Sequence, residues 1–71
     1  MKKNITEITT NNIPGAWYGN DLGYDQDNPN RGNVVVNPEL IAGAILWLIR
    51  QKASIMKTGI HNGGILIHYE K

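Results

Sequence analysis

The sequence predicts an α+β fold in which one long amphipathic-to-apolar helix packs on a small antiparallel sheet with a C-terminal hairpin. Three observations predict it. Val34–Val36 is a β-branched run bounded by Asn on both sides, the stretch after it has helical periodicity, and Asn62-Gly63 is the strongest short signal for a hairpin turn. At 71 residues, the chain is expected to form a single small domain, residues 1–71.

The first half of the chain is expected to contain little regular structure. Residues 1–12 lack helical periodicity, so we expect a frayed or edge element there. Gly, Asn, Asp and Pro occupy more than half of residues 13–33. These residue types favour turns, because Gly reaches positive φ, Pro fixes φ, and Asn and Asp bond their own backbone. We therefore predict a long loop over residues 13–33, followed by a strand-helix-hairpin unit over residues 34–71.

The helix is predicted to run from Pro38 to about Lys57. Asn37 suits the cap position, Pro38 suits the first turn, and Glu39 has the favourable sign near the positive end of the helix dipole. Gly59 lies just beyond the predicted end and is expected to stop the helix.

The apolar surface of this predicted helix is larger than a small sheet can cover. One arc of the helical wheel, expected to face the sheet, carries Ile41, Ile45, Leu48, Ile49, Ile55 and Met56. Trp47 lies outside this arc, and covering its side chain fully would be worth about 4–6 kcal/mol. Two alternatives follow: a second copy or a protein partner covers Trp47, or the aromatic loop folds back over it.

Lys52 is expected to project from the middle of the apolar arc. One interpretation is that its aliphatic stem packs while the amine reaches solvent past the helix end. The other is a cation that faces a partner or an anion, because a buried ammonium group needs an acid beside it.

The composition argues against several functional classes. Seven Lys and Arg against six Asp and Glu give a formal net charge of +1, too small for a basic field, so no nucleic acid partner is expected. Cys is absent, which excludes disulfides and thiolate zinc sites. His61 faces Gly64 across the predicted turn rather than His68, so no metal pair is expected. We expect neither a metal nor another cofactor.

Two segments bear on the expected location of the protein. The N-terminal residues lack the apolar run of a secretory signal, so a cytoplasmic location is expected. The apolar run Leu40–Ile49 is shorter than the about 20 residues of a membrane span, so the membrane is not expected to be a partner. A membrane-active peptide that lies on the bilayer surface is kept as a third alternative.

The composition of the predicted loop is typical of binding loops, which use Tyr and Trp as large anchors among Gly and Asn. The predicted partner-binding residues are Trp17, Tyr18, Tyr24 and Trp47, and the predicted anion-binding residues are Arg31, Arg50 and Lys52. No nucleophile lies in a pattern with a base and an orienting acid, so no catalytic residue and no enzyme activity is predicted.

These observations lead to an expected function. We expect a small non-enzymatic interaction module that self-associates as a homo-oligomer and inhibits or regulates a macromolecular partner. Short, Cys-free, Asn-rich proteins of this kind are often encoded by phages and other mobile elements, so we associate the chain with such an origin on composition alone. The alternative from another class is an oligomeric binder of a small nucleotide-like ligand that stacks on Trp17 or Tyr18.

Overall fold

The computed structural model describes residues 8–71 and shows a four-stranded antiparallel sheet with a helix on one face. The elements in chain order are a 3-10 turn Thr10–Asn12, β1 Ala16–Asn20, β2 Arg31–Val36, a second 3-10 turn Pro38–Leu40, α1 Ile41–Arg50, β3 Ser54–His61 and β4 Gly64–Glu70. The strand order is β1-β2-β4-β3, so β1 and β3 are the edges. The predicted α+β class is confirmed.

The prediction of a long helix is wrong. Helical backbone begins at Pro38, as predicted, but α1 ends at Arg50, and Ser54–His61 forms β3 instead. The apolar residues Ile55 and Met56, which extended the helical pattern in the sequence, belong to this edge strand. The predicted loop over residues 13–33 also differs, because β1 lies within it and the connection to β2 covers residues 21–30. The segment 1–12 can be compared only in part, because residues 1–7 lie outside the described residues.

A Schellman motif ends the helix. Lys52 has φ of 70°, in the left-handed region, its N–H donates to Ile49 O (2.9 Å), and the Ala53 N–H donates to Leu48 O (3.0 Å). Ala53 and Leu48 are both buried in the core, which is the apolar contact that accompanies this motif. Lys52 therefore does not project from an apolar arc of the helix, but occupies the exposed turn after it.

Lys52→Gly is expected to stabilise the protein by about 0.5–1 kcal/mol. A left-handed residue with a Cβ costs about 1–2 kcal/mol, and part of that gain is offset by the greater freedom of Gly in the unfolded chain. Urea unfolding would measure the change. Lys52→Ala is the control, because it removes the charge and keeps the Cβ. An equal gain in both variants would show that backbone strain is not the cause.

The core lies between α1 and one face of the sheet. Its buried members are Ile8, Ile13, Val34, Val36, Ala44, Leu48, Ala53, Ile67 and Tyr69. Trp47 is half-buried and packs against this cluster. The expected surplus of apolar surface at Trp47 is therefore smaller than the sequence indicates. The half-exposed apolar side chains of the helical segment are instead Leu40, Leu46 and Ile49.

The C-terminal hairpin forms at the predicted turn. Asn62 and Gly63 both have positive φ, at 49° and 82°, as a type I′ turn requires. β3 and β4 pair from His61 opposite Gly64 to Ser54 opposite Glu70. The hairpin thus supplies one central and one edge strand of the sheet.

Candidate functional site

The sheet face opposite α1, called here the open face, carries the candidate site. Cross-strand partners share a face of a sheet, so the register identifies its residues. They are Tyr18 and Asn20 of β1, Arg31, Asn33 and Val35 of β2, Ser54, Lys57, Gly59 and His61 of β3, and Gly64, Leu66, His68 and Glu70 of β4. Val35 is only 1% exposed although it lies outside the core cluster. Side chains on the open face must therefore cover it.

A β-bulge in each edge strand changes which side chains reach the open face. The register shifts between Ala16 and Tyr18 in β1 and between Ile55 and Lys57 in β3. Each shift leaves one extra residue, Trp17 or Met56. Bulges are common at sheet edges, where they re-aim a side chain.

The bulge in β1 places two neighbouring aromatic residues on the open face. A Cβ on Gly64 would lie 2.5 Å from Val35 Cγ1 and 3.2 Å from Trp17 Cζ2. Since Val35 and Gly64 both belong to the open face, the Trp17 ring lies there too, beside Tyr18. The missing side chain of Gly64 provides the space that this ring occupies.

Trp17, Tyr18 and His61 form an aromatic cluster across the sheet. The Trp17 and Tyr18 ring centroids are 6.3 Å apart, and the Tyr18 and His61 rings stack at 5.9 Å with an interplanar angle of 6°. Tyr18 comes from one edge strand and His61 from the other, so their rings meet above the central strands. Trp17 and Tyr18 remain 48% and 55% exposed. The cluster thus covers Val35 and also presents aromatic surface to solvent.

A hydrogen-bonded row fixes Tyr24 over the same face. The Asn20 Nδ2 donates to Asn33 Oδ1 (3.1 Å), and the Asn33 Nδ2 donates to the Tyr24 hydroxyl oxygen (3.1 Å). Within the 21–30 connection, the two oxygens of Asp25 accept from the Asp27 N–H (3.0 Å) and from Asn28 Nδ2 (3.3 Å). These bonds hold the half-exposed Tyr24 ring in one position.

A partly open groove lies beside Tyr24, with a volume of about 340 Å³. Its lining residues are Tyr24, Asp25, Arg31, Gly32, Met56, Lys57, His68 and Tyr69. His68 lies directly between Lys57 and Asn33 on the neighbouring strands. The Arg31 Nε is 3.8 Å from Glu70 Oε1, and both side chains are well exposed. A long ion pair at an exposed position is weak, so it leaves Arg31 able to bind another anion.

The structure separates the residues predicted as sites. Trp17 and Tyr18 lie together in the aromatic cluster and Tyr24 lies in the groove, whereas Trp47 is on the other side of the sheet, against the core. Of the three predicted anion-binding residues, Arg31 lines the groove. Arg50, at the end of α1, and Lys52, in the turn after it, are not among the lining residues.

Four residues of the aromatic cluster and the groove are not among the predicted site residues: His61, His68, Met56 and Lys57. The helical pattern in the sequence covers Met56 and Lys57, and the sequence offers the two histidines only as metal ligands. The alternation in the second strand of the hairpin does predict that His68 lies on the face opposite Tyr69, as β4 shows, but it does not predict which residues of other strands lie beside it. The stacking of His61 on Tyr18 had no signal in the sequence, because it depends on the order of the strands.

Residues 8–71 show neither a metal-ion cluster nor a membrane-spanning helix. No group of three or more His, Asp or Glu side chains in this range is arranged to hold a metal ion. Within the same range, no helix is long enough and apolar enough to span a bilayer. Family models, curated proteins and solved structures were compared with the chain, and none of them matches it.

Proposed function

We propose that the protein is a non-enzymatic interaction module that binds a macromolecular partner through its open face, and inhibits or regulates that partner by covering its surface. The observation that supports this proposal is the pair of half-exposed rings, Trp17 and Tyr18, which a bulge places side by side on that face. Trp and Tyr are enriched among the residues that dominate binding energy in protein interfaces.

The size of the aromatic surface is suited to anchoring a partner. An aromatic side chain buries about 150–250 Å² when it is fully covered. About half of Trp17 and of Tyr18 is still exposed, so covering both would remove about 150–250 Å² from water, worth about 4–6 kcal/mol. Association itself costs about 4–15 kcal/mol. The two rings can therefore anchor a complex to which the rest of the open face contributes.

Self-association is part of the proposal and concerns a different surface. Leu46 and Ile49 are three residues apart on α1 and each is about half exposed. Residues at this spacing lie on one side of a helix. A second copy that packed its own Leu46 and Ile49 against them would cover this apolar strip symmetrically.

Capture from an extract of the source cells tests the proposed function. Tagged wild-type protein is compared with Trp17→Ala, Tyr18→Ala and the control Leu46→Ala, each checked for folding by circular dichroism. We expect one partner to bind wild type and Leu46→Ala, and to bind either ring variant at least about tenfold more weakly once purified. Equal binding by all variants would contradict the proposal.

Light scattering on the same purified proteins tests self-association. The wild type is expected to have a higher mass than a monomer, and Leu46→Ala is expected to shift the mass towards that of a monomer. Trp17→Ala should leave the mass unchanged, because its ring is on the other side of the sheet. A monomeric wild type at high concentration would remove self-association from the proposal.

A further inference from the structure

We propose that the groove beside Tyr24 binds a nucleoside monophosphate, with the base against Tyr24 and the phosphate near Arg31 and Lys57. This inference does not rest on the proposed function, because it concerns residues outside the aromatic cluster. The groove combines an aromatic ring, a thioether and two cations in a volume of about 340 Å³. Small-molecule sites are concave, mostly apolar and about 300–1,000 Å³ in size, with a few polar groups that fix orientation.

The position of Tyr24 is set before a ligand arrives. Its hydroxyl accepts a hydrogen bond from Asn33, whose side chain is itself bonded to Asn20. A ring held in this way loses little freedom when a base stacks on it, which favours binding. Base-aromatic stacking is effective for every base, because each has a flat π-face. Met56, the extra residue of the bulge in β3, also lines the groove and offers a polarisable thioether to a bound base.

Two cations of the groove can meet a phosphate. Lys57 forms no ion pair with any residue in the range 8–71, and the Arg31 contact with Glu70 uses Nε at a long distance. The terminal N–H groups of Arg31 therefore stay available, and a guanidinium fork suits a phosphate. His68 lies beside Lys57 on the adjacent strand, and an imidazole N–H is a further donor for an oxygen of the ligand.

The negative charges near the groove limit how much phosphate it accepts. Asp25 lines the groove, but both of its oxygens accept hydrogen bonds from the 21–30 connection. Glu70 does not line the groove and faces Arg31. The two cations thus meet the lining carboxylate of Asp25 and have Asp21 and Glu70 close by, so a single phosphate is favoured over a di- or triphosphate. A nucleic acid strand is disfavoured, because the chain has a formal net charge of +1 and strand binding needs a row of cations.

Titration by NMR, with chemical shifts of backbone amides as the readout, tests the inference. The probes are the four common nucleoside monophosphates, the matching nucleosides, inorganic phosphate and a short single-stranded oligonucleotide. We expect at least one monophosphate to bind with Kd below about 1 mM, and its nucleoside and inorganic phosphate each to bind at least about tenfold more weakly. The amides that shift should belong to the 21–30 connection, the start of β2 and the bulge in β3.

Variants assign the binding to the groove. Lys57→Gln and Tyr24→Leu are each expected to raise Kd by about tenfold, while Lys52→Gln, which removes an exposed cation outside the groove, should leave it unchanged. Trp17→Ala should also leave it unchanged, which separates this test from that of the proposed function. The inference is overturned if no monophosphate binds, if neither groove variant weakens binding, or if the oligonucleotide binds more tightly than the monophosphate at equal salt concentration.

Discussion

Gly32→Ala is expected to lower the free energy of unfolding by about 3 kcal/mol. Gly32 pairs with Tyr69 across β2 and β4, and the Tyr69 ring lies over the glycine. A Cβ at this position would lie 2.5 Å from both Tyr69 Cζ and its hydroxyl oxygen. The ring is only 1% exposed, so the added methyl group forces the ring or the strand to shift within packed surroundings. Overpacking of this kind typically costs about 1–3 kcal/mol, and such close contacts place the effect at the upper end.

Gly59→Ala is the matched control for this prediction. Gly59 is also in a strand, β3, and a Cβ there would meet nothing within 4 Å. Its effect should stay within about 0.5 kcal/mol. Urea unfolding followed by circular dichroism measures both variants, and near-ultraviolet spectra report whether the Tyr69 environment changes. Similar losses in the two variants would mean that Gly32 owes its effect to strand propensity rather than to the ring above it.

The elements that the sequence predicted well are those with local causes. The Asn62-Gly63 turn forms because both of its residues tolerate positive φ, and the alternation in β4 follows from its two differently covered faces. The start of the helical segment at Pro38 is also local, since Pro lacks the N–H that the first turn would leave unbonded. Each of these features depends on neighbours in the sequence, so a pattern could reveal it.

The end of the helix depends on tertiary packing instead. A left-handed stop normally carries Gly, but here Lys52 has that conformation, and the buried contact of Ala53 with the core compensates for the strain. Ile55 then pairs with Tyr69 as part of the sheet. A helical wheel cannot distinguish this arrangement, because two adjacent apolar residues suit either a helix or a bulged strand.

The candidate site was predicted only through its residue types. The composition of the loop predicts Trp17, Tyr18 and Tyr24, because aromatic residues among turn formers are typical of binding loops, and the positive charge of Arg31 predicts anion binding. Their arrangement was not predictable, since each bulge interrupts the two-residue alternation from which faces are assigned. Strand order, which brings Tyr18 to the imidazole of His61, is likewise a non-local property.

A second large effect is expected at high pH, and it also concerns Tyr69. Burial raises the pKa of the Tyr69 hydroxyl from 10.0 to about 12, with smaller contributions from the nearby charges of Asp21 and Tyr24. Desolvation disfavours the phenolate, because the side chain that carries it is largely removed from water. In the unfolded chain the same hydroxyl would titrate near pH 10. The folded protein therefore keeps a proton that the unfolded chain loses over this range.

The sign of the pH dependence follows from that difference in bound protons. The free energy of unfolding falls with rising pH wherever the folded state binds more protons than the unfolded state. The contribution of Tyr69 to stability is therefore complete below about pH 10 and is lost as the pH rises to about 12. A difference of about two pKa units corresponds to about 2–3 kcal/mol. Tyr69→Phe keeps the ring over Gly32 and removes this titration, while every other ionisable group is the same in both proteins. Urea unfolding at several pH values should therefore show that the free energy of unfolding falls more steeply between about pH 10 and about pH 12 in wild type than in Tyr69→Phe. Parallel pH dependences in the two proteins would show that the Tyr69 hydroxyl does not cause the loss of stability.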